Sequence, residues 1–474
     1  MVPEKPREIA FRVLHHWEKS NRFVESILEK ELDEAPISSL DRKLAQELVY
    51  GAIRWRRTLD WIISGRTEDR PQHLAIRLLL RLGLYQMFWL DRIPDHAIVH
   101  ETVQLAKRVG SATKAGFVNA ILRGCLREQA AIEKALTELK TERPADGYSH
   151  PAWLFERWAA RWGKDPTNQL MEWNNSPAKM YARVNLLRTT ASRLVEEWQA
   201  EGVECKPFRR DWIGEELVFE LKATADAAKL ATFQKGCFYI QDPSTLLAVE
   251  ALDPRPGEHL LDLCAAPGGK TILIAQKMQD QGQVVAGDIQ KDRLALLRQN
   301  CARLGATCVE TALSPLASRR SPFFDGILVD APCSNTGVMR RRVDLRWRIR
   351  PEELERLRRA QLALLRDAAE GLKPGGRLVY STCSLEPEEN GDVVRDFLAE
   401  RHQFNLEHER QLLPFVDGVD GAYVARLTKT AISAESGFRH SEFARPSGQE
   451  ISEKSSCQQG TVGPNEIGSG PTTH

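Results

Sequence analysis

Apolar side chains recur at helical spacing through residues 1–145: Ile9, Val13 and Trp17, then Leu44, Leu48 and Ile53, then Val103 and Ala106. Residues three or four apart share one face of an α-helix, so the pattern predicts amphipathic helices packed as a bundle. Turn signals at Pro36, Gly65, Pro71, Pro94 and Gly110 divide the region into helices of ordinary length. The most apolar window, Leu78 to Leu90, is interrupted by Arg81 and Gln86. It reads as a buried helix, because a membrane span needs about 18 or more apolar residues.

Between 146 and 240 this periodicity gives way to scattered Trp and Pro (Pro151, Trp153, Trp158, Trp162, Trp173, Pro177), followed by short β-like runs at Met180–Val184 and Leu217–Phe219. A small α+β linker domain is expected there. From 241 to 430, five short apolar runs read as strands: His259–Cys264, Val284–Ile289, Thr307–Glu310, Gly326–Asp330 and Arg377–Ser381. A helix with Leu294, Leu297, Cys301 and Leu304 on one face separates the second from the third. Alternating strands and helices predict a doubly wound α/β domain, whose ligand crevice lies at the carboxyl ends of the strands. Residues 431–474 are rich in Ser, Gly, Glu and Gln and poor in aliphatic residues, and are expected to form a disordered tail.

Composition narrows the picture only modestly. With 42% hydrophobic and 28% charged residues, the chain is neither wholly disordered nor a fibre nor a disulfide scaffold. Its formal net charge of +1 means that any nucleic-acid-binding surface must be local. The nine cysteines are odd in number, form no C-x-x-C, and sit with no His at metal-ligand spacing. A reduced cytoplasmic setting without a metal is the expectation, and the charged N-terminus lacks the apolar core of a signal peptide.

The candidate chemistry begins at the first strand of the α/β domain. HLLDLCAAPGGKT (259–271) is a strand, a Gly-rich turn and a helix start. Cys264 stands where a P-loop would have its first glycine, and Ala266 and Pro267 break the G-x-G-x-x-G pattern. What remains is a nucleoside-binding turn of a third kind, or a turn with no ligand. Asp288, nineteen positions beyond Gly269 at the next strand end, suits ribose hydroxyls.

Two further strand ends carry thiols, Asp330-Ala331-Pro332-Cys333 and Ser381-Thr382-Cys383. Either could be a small buried hydrophobe, and the two could form a disulfide. A helix starting at Pro387 would favour thiolate at Cys383 through its dipole. A thiolate beside a nucleoside site suits covalent catalysis on an electron-poor ring: addition to C6 of a pyrimidine makes C5 nucleophilic toward a methyl donor. Asp330 is placed to assist by contacting N3 and the exocyclic amine.

LDLCAAPGGKT, GDIQ, VDAPCSNTG and STCSLEPEEN, in that order, resemble the Nop2/Sun-type RNA cytosine-5 methyltransferases. That resemblance implies Cys383 as nucleophile, Cys333 as the group assisting product release, and Asp330 as a contact to the target base. It also implies an S-adenosylmethionine site formed by Cys264, Ala265, Ala266, Pro267, Gly268, Gly269 and Lys270, with Asp288 and Asp330. The family's acidic residue after the third strand is missing from Val309–Ser314, leaving Glu310 or Ser314 as substitutes. DRKLAQELVYGAIRWRRTLDWII (41–63), RLGLYQMFWLDRIPDHAIVHETVQLAKR (81–108) and AGFVNAILRG (115–124) resemble the RNA-binding NusB-type helical fold.

Together the two resemblances imply small-subunit ribosomal RNA as partner, with no membrane or metal, and a monomer is expected. The competing readings are a DNA cytosine methyltransferase, in which Cys333 would attack, and an RNA-binding assembly protein with a vestigial cofactor site. One more feature bears on RNA. Met339–Arg350 carries six Arg and Trp347 directly after Cys333, and is expected to favour RNA contact over a solvated helix face. Arg54, Arg56 and Arg57 form a weaker basic cluster.

Overall fold

The computed structural model describes residues 5–222, 227–313 and 324–431. The expected disordered tail lies outside the described residues from 432 onward. The helical periodicity of the N-terminal region becomes helices running from Pro6–Lys19 to Gln129–Glu142. Ser38 and Ser111 cap two of them, their hydroxyls accepting the Asp41 and Lys114 N–H groups. Ile9, Val13, Trp17, Leu48, Ile53, Leu80 and Leu122 meet in one buried core.

Two helices, Ala152–Trp162 and Lys164–Asn175, lead into a four-stranded antiparallel sheet. Its strands are β1 (Met180–Val184), β2 (Cys205–Phe208), β3 (Val218–Leu221) and β4 (Phe238–Ile240), in the order β2-β3-β1-β4. The helix Ala191–Ala200 seats Leu194 and Trp198 against Val184, Phe219 and Phe238.

The third region is the expected doubly wound sheet. Strands β5 (His259–Leu263), β6 (Gln283–Asp288), β7 (Val309–Leu313), β8 (Phe324–Asp330) and β9 (Leu372–Thr382) run parallel in the spatial order β9-β8-β5-β6-β7. The chain winds outward from β5 to β7 and then returns to β8, so the crevice opens at the carboxyl ends of β5 and its neighbours. An antiparallel hairpin, β10 (Phe404–Leu412) and β11 (Ala422–Lys429), extends the sheet beyond β9 and was not expected from the sequence.

Much of the basic segment Met339–Arg350, expected to favour RNA contact, is turned into the protein, and Val343, Asp344, Trp347 and Arg348 join it to the helical region. Asp344 Oδ2 accepts the Trp17 Nε1–H at 3.1 Å and the Val24 N–H at 2.9 Å. Trp347 Nε1 donates to Ile53 O at 2.8 Å, and Arg348 donates to Ser20 O and Trp17 O at 2.6 and 2.8 Å. Arg346 is fully buried and donates to Ser149 O, Asn174 O and Asn175 Oδ1. Burial, followed by the charge of Arg54, lowers the Arg346 guanidinium to about 9. Arg340 and Arg341 pair with Asp242 and Asp420.

The second basic cluster faces the same joint. Arg56 lies 5.5 Å from the ring centroids of both Trp17 and Trp347, and Arg57 pairs with Asp146. A guanidinium offers five donors that suit backbone carbonyls as well as phosphates, so residue type alone did not distinguish the two acceptors.

His150 is sealed beneath this joint. Nδ1–H donates to Tyr148 O at 2.7 Å, and Nε2 accepts from Asn174 Nδ2 at 3.3 Å, which fixes the neutral ring. Burial, then the charge of Arg346, holds its pKa well below the ordinary 6.5. A depressed folded-state pKa contributes stability that is present above the unfolded value and lost as pH falls below it. Chemical denaturation is expected to show the native protein losing ~1.4 kcal/mol per pH unit more than His150→Asn between about pH 6 and 5. Parallel profiles for the two proteins would remove His150 as the source.

Candidate active site

Strands β8 and β9 pair in parallel with Asp330 opposite Ser381. Each chain then leaves the sheet and reaches a cysteine within three residues. The sulfurs of Cys333 and Cys383 lie 3.3 Å apart, and both cysteines are free, so the pair is in contact without a disulfide. Cys383 Sγ donates to Asn335 Oδ1 at 3.0 Å, and Asn335 Nδ2 donates to Cys333 O at 2.7 Å. The hydrogen bond with Cys383, then burial, then the charges of Cys383 and Glu389 push the Cys333 thiol well above its usual range. The helix expected at Pro387 is a three-residue turn, Pro387–Glu389, too short to supply the dipole proposed for it.

The Cys383 loop depends on a close backbone approach. Gly337 N donates to Cys383 O, and Gly421 N donates to Gly337 O, both at 2.9 Å. A Cβ on Gly337 would lie 2.7 Å from Gly421 O and 2.8 Å from Cys383 O, inside the contact distance of any side chain.

Asp330 stands between the thiols and the glycine turn. Its Oδ1 accepts the Ser381 hydroxyl at 2.7 Å, and its Oδ2 accepts from Lys270 Nζ at 2.6 Å. Burial alone would push the Lys270 ammonium down; contact with Asp330, aided by Cys383, outweighs this and holds it above its ordinary value. Lys270 therefore links the first helix turn after β5 to the edge carrying the cysteines.

The turn itself runs from Cys264 to Gly268, with Gly268 at φ +104° opening the helix Gly269–Lys277. Only glycine takes that conformation without strain. Ala265 N donates to Gly287 O at 2.8 Å, Ala266 O accepts from Arg293, and Pro267 O accepts from Asn300 Nδ2 at 3.0 Å. Arg183 of β1 donates to Gly269 O at 2.8 Å, so the linker sheet braces the turn from outside. Buried Asp262 accepts the Thr271 hydroxyl at 2.6 Å, and burial pushes its carboxyl up to about 7. Burial, then the charges of Asp330, Asp262 and Asp288, pushes the Cys264 thiol to about 12, so it lines the turn as a neutral group.

Asp288 ends β6, next to this turn. Its Oδ1 accepts the Gln290 N–H at 3.0 Å, whereas its buried Oδ2 accepts no hydrogen bond and only faces Arg293 at 3.3 Å. A strand-end carboxylate beside a glycine turn, with one oxygen accepting no hydrogen bond, fits the hydroxyls of a nucleoside ribose. Glu310 does not replace the acidic residue missing after the third strand. It pairs with Val285, three positions before the strand edge, and accepts from Gln283 Nε2 at 2.8 Å. Ser314 lies outside the described residues.

The structure thus brings Cys333, Cys383, Asp330 and Lys270 together, with the glycine turn and Asp288 along the same strand edge. Sequence reasoning missed Arg183, which braces the turn, and Asn335, which joins the two cysteines. Among the described residues, no group of three or more His, Cys, Asp or Glu could hold a metal, and no helix is long and apolar enough to cross a membrane.

A nucleoside-type turn at the switch point of such a sheet defines a methyltransferase-like α/β domain, and comparison with known proteins narrows this. Residues 249–428 match the family model described as 16S rRNA methyltransferase RsmB/F, residues 4–144 the NusB family, and residues 150–212 the ferredoxin-like domain of RsmF/B-like methyltransferases. The chain is 35% identical over 450 residues to the probable ribosomal RNA small subunit methyltransferase B of Bacillus subtilis, covering 89% of this chain and 98% of that protein.

Among solved structures, PH0851 superposes with a TM-score of 0.71 at 24% identity, covering 90% of this chain and 100% of that one. A methyltransferase homolog protein from Pyrococcus horikoshii gives a TM-score of 0.53 at 31% identity, covering 60% of this chain and 96% of that one. The chain belongs to the 16S rRNA methyltransferase RsmB/F family.

Gly337→Ala forces the Cys383 carbonyl away and is expected to cost about 1–3 kcal/mol of stability. Methyl transfer should fall by ~10- to 100-fold as the thiols are displaced. Thermal melts and a transfer assay check both; a variant of native stability and activity would show that the approach is not needed.

Proposed function

We propose that the chain transfers a methyl group from S-adenosylmethionine to C5 of a cytosine in small-subunit ribosomal RNA, through a covalent bond between Cys383 and C6. The observation that carries this reading is the contact of two thiols, 3.3 Å apart, at the strand edge that also holds Asp330. When bound, S-adenosylmethionine supplies an electrophilic methyl group on a sulfonium that leaves as a neutral thioether. Asp288, Gly268, Gly269 and the turn from Cys264 to Pro267 would hold it, braced by Arg183.

In the attack, Cys383 gives up its proton, which Asp330 relays to N3 of the base, and its sulfur bonds to C6, while the C5–C6 π pair becomes available at C5. Asp330, fixed by Lys270 and Ser381, holds that proton on N3 and accepts from the exocyclic amine, so the protonated ring draws electron density away from C6. C5 then bonds to the methyl carbon. Loss of the C5 proton to water returns an electron pair to the C5–C6 bond and expels the Cys383 sulfur as thiolate, which recovers its proton from N3. Cys333, kept protonated by its surroundings, donates a hydrogen bond to that departing sulfur and makes it a better leaving group. The reading implies cytoplasmic work on RNA, and the Bacillus subtilis relative is named for the ribosomal RNA of the small subunit.

A denaturing gel of Cys333→Ala and Cys383→Ala, each mixed with ribosomal RNA and S-adenosylmethionine, tests the assignment. Cys333→Ala is expected to accumulate a denaturant-resistant protein–RNA band that Cys383→Ala lacks. The reverse pattern would transfer the nucleophile role to Cys333 and favour the DNA-type mechanism. No band with either variant would overturn covalent catalysis.

A further inference from the structure

Glu389 is fully buried and, beyond its charge on Cys333, has no step in the chemistry above. Its Oε1 accepts the Ser334 N–H at 2.8 Å and the Gln361 Nε2–H at 3.0 Å. Its Oε2 accepts the hydroxyls of Ser334 and, at 2.5 Å, Ser384. Ser334 follows Cys333 and Ser384 follows Cys383, so one carboxylate grips the residue after each thiol. Gln361 also donates to Pro332 O at 3.0 Å, on the other side of Cys333. The Glu389 backbone is held in turn, its carbonyl accepting the Tyr380 hydroxyl of β9 at 2.6 Å.

This is a costly way to join two loops. Burial pushes the Glu389 carboxyl up, against the pull of the hydrogen bonds it accepts. Its hydrogen-bond partners include no Lys, Arg or His. A buried carboxylate without a cation contributes little net stability and is tolerated when its acceptor sites are filled. What the arrangement does supply is geometry: four donors from three segments converge on two oxygens.

We propose that Glu389 is a positioning residue for methyl transfer, which sets the separation of the Cys333 and Cys383 sulfurs by holding the residue after each on a single carboxylate. This rests on the reading in which Cys383 attacks and Cys333 assists its departure. The same charge is among the causes that keep Cys333 in its thiol form, the form required to donate to the leaving sulfur.

Phenylarsine oxide reports the separation without any transfer step: two thiols in contact each form an As–S bond, and their protons leave with the arsenical oxygen as water. In the full chain, the reagent is expected to bridge Cys333 and Cys383 and protect both from iodoacetamide, read by peptide mass spectrometry, with Cys383→Ala as the control that cannot bridge. Glu389→Gln keeps the side-chain volume but replaces one acceptor by a donor. It should weaken bridging by about tenfold and lower kcat by at least as much, while KM for S-adenosylmethionine stays within about twofold.

The double variant Ser334→Ala/Ser384→Ala, which leaves Glu389 in place, should weaken bridging in the same direction. Bridging at the native level in Glu389→Gln overturns the proposal, as does weakened bridging with kcat unchanged. So does a fall in kcat accompanied by an equal rise in KM and a lowered melting temperature, the signature of a general structural defect. A mistaken nucleophile assignment would instead appear in the adduct gel and leave the arsenical result untouched.

Discussion

The register between β8 and β9 is the constraint from which the site follows. Neighbouring strands lie about 4.8 Å apart, so once Asp330 faces Ser381 the two chains have only a few residues in which to bring their thiols into contact. Each of those residues is restrained. Asn335 spans from the Cys333 carbonyl to the Cys383 sulfur, Gly337 takes the Cys383 carbonyl on its N–H, and Gly421 closes on Gly337 from the hairpin that follows β9. The unexpected β10–β11 hairpin is thus more than an edge extension, since the segment just ahead of β11 presses on the cysteine loop.

Charge is used inside this protein mainly to orient parts. The set of buried Arg340, Asp242 and Asp420 with the more exposed Arg341 joins the cysteine loop, the linker sheet and the segment before β11. Burial and the neighbouring Asp242 push the Asp420 carboxyl up to about 6, with the two arginines opposing this. Such clusters return little of their desolvation cost as stability, but they permit few relative arrangements of the groups that form them. Arg183 plays a comparable part at the glycine turn: burial lowers its guanidinium to about 10, and its contact with Gly269 O ties the linker to the crevice.

How much of this could be read in the sequence depends on how local each signal is. Helical spacing at Ile9, Val13 and Trp17, the five parallel strands, the glycine turn and the two cysteine motifs all declare themselves within a few residues. β10 does not, because FNLEHERQL buries only its ends, Phe404 and Leu412, and shows no alternation. Arg346 and Trp347 have the composition of an RNA-binding stretch, yet their partners are carbonyls more than a hundred residues away in sequence. Glu389 was visible only as part of a helix start expected at Pro387. Its two serine partners acquire meaning only when β8 and β9 lie side by side.

The joint at Met339–Arg350 has a consequence for how such chains can be assembled. Val343 sits within the core of the helical region, and Trp347 packs against that core, although both belong to the stretch matched by the methyltransferase family model. Asp344 closes on Trp17 and Val24, and Arg346 finds its acceptors between Ser149 and Asn175. A border drawn between the matched segments therefore divides a shared interior. Separated there, each piece would carry an apolar scar and stranded polar groups. The helical region is not a portable appendage, and a recombination event exchanging it would also have to exchange the loop that begins six residues after Cys333.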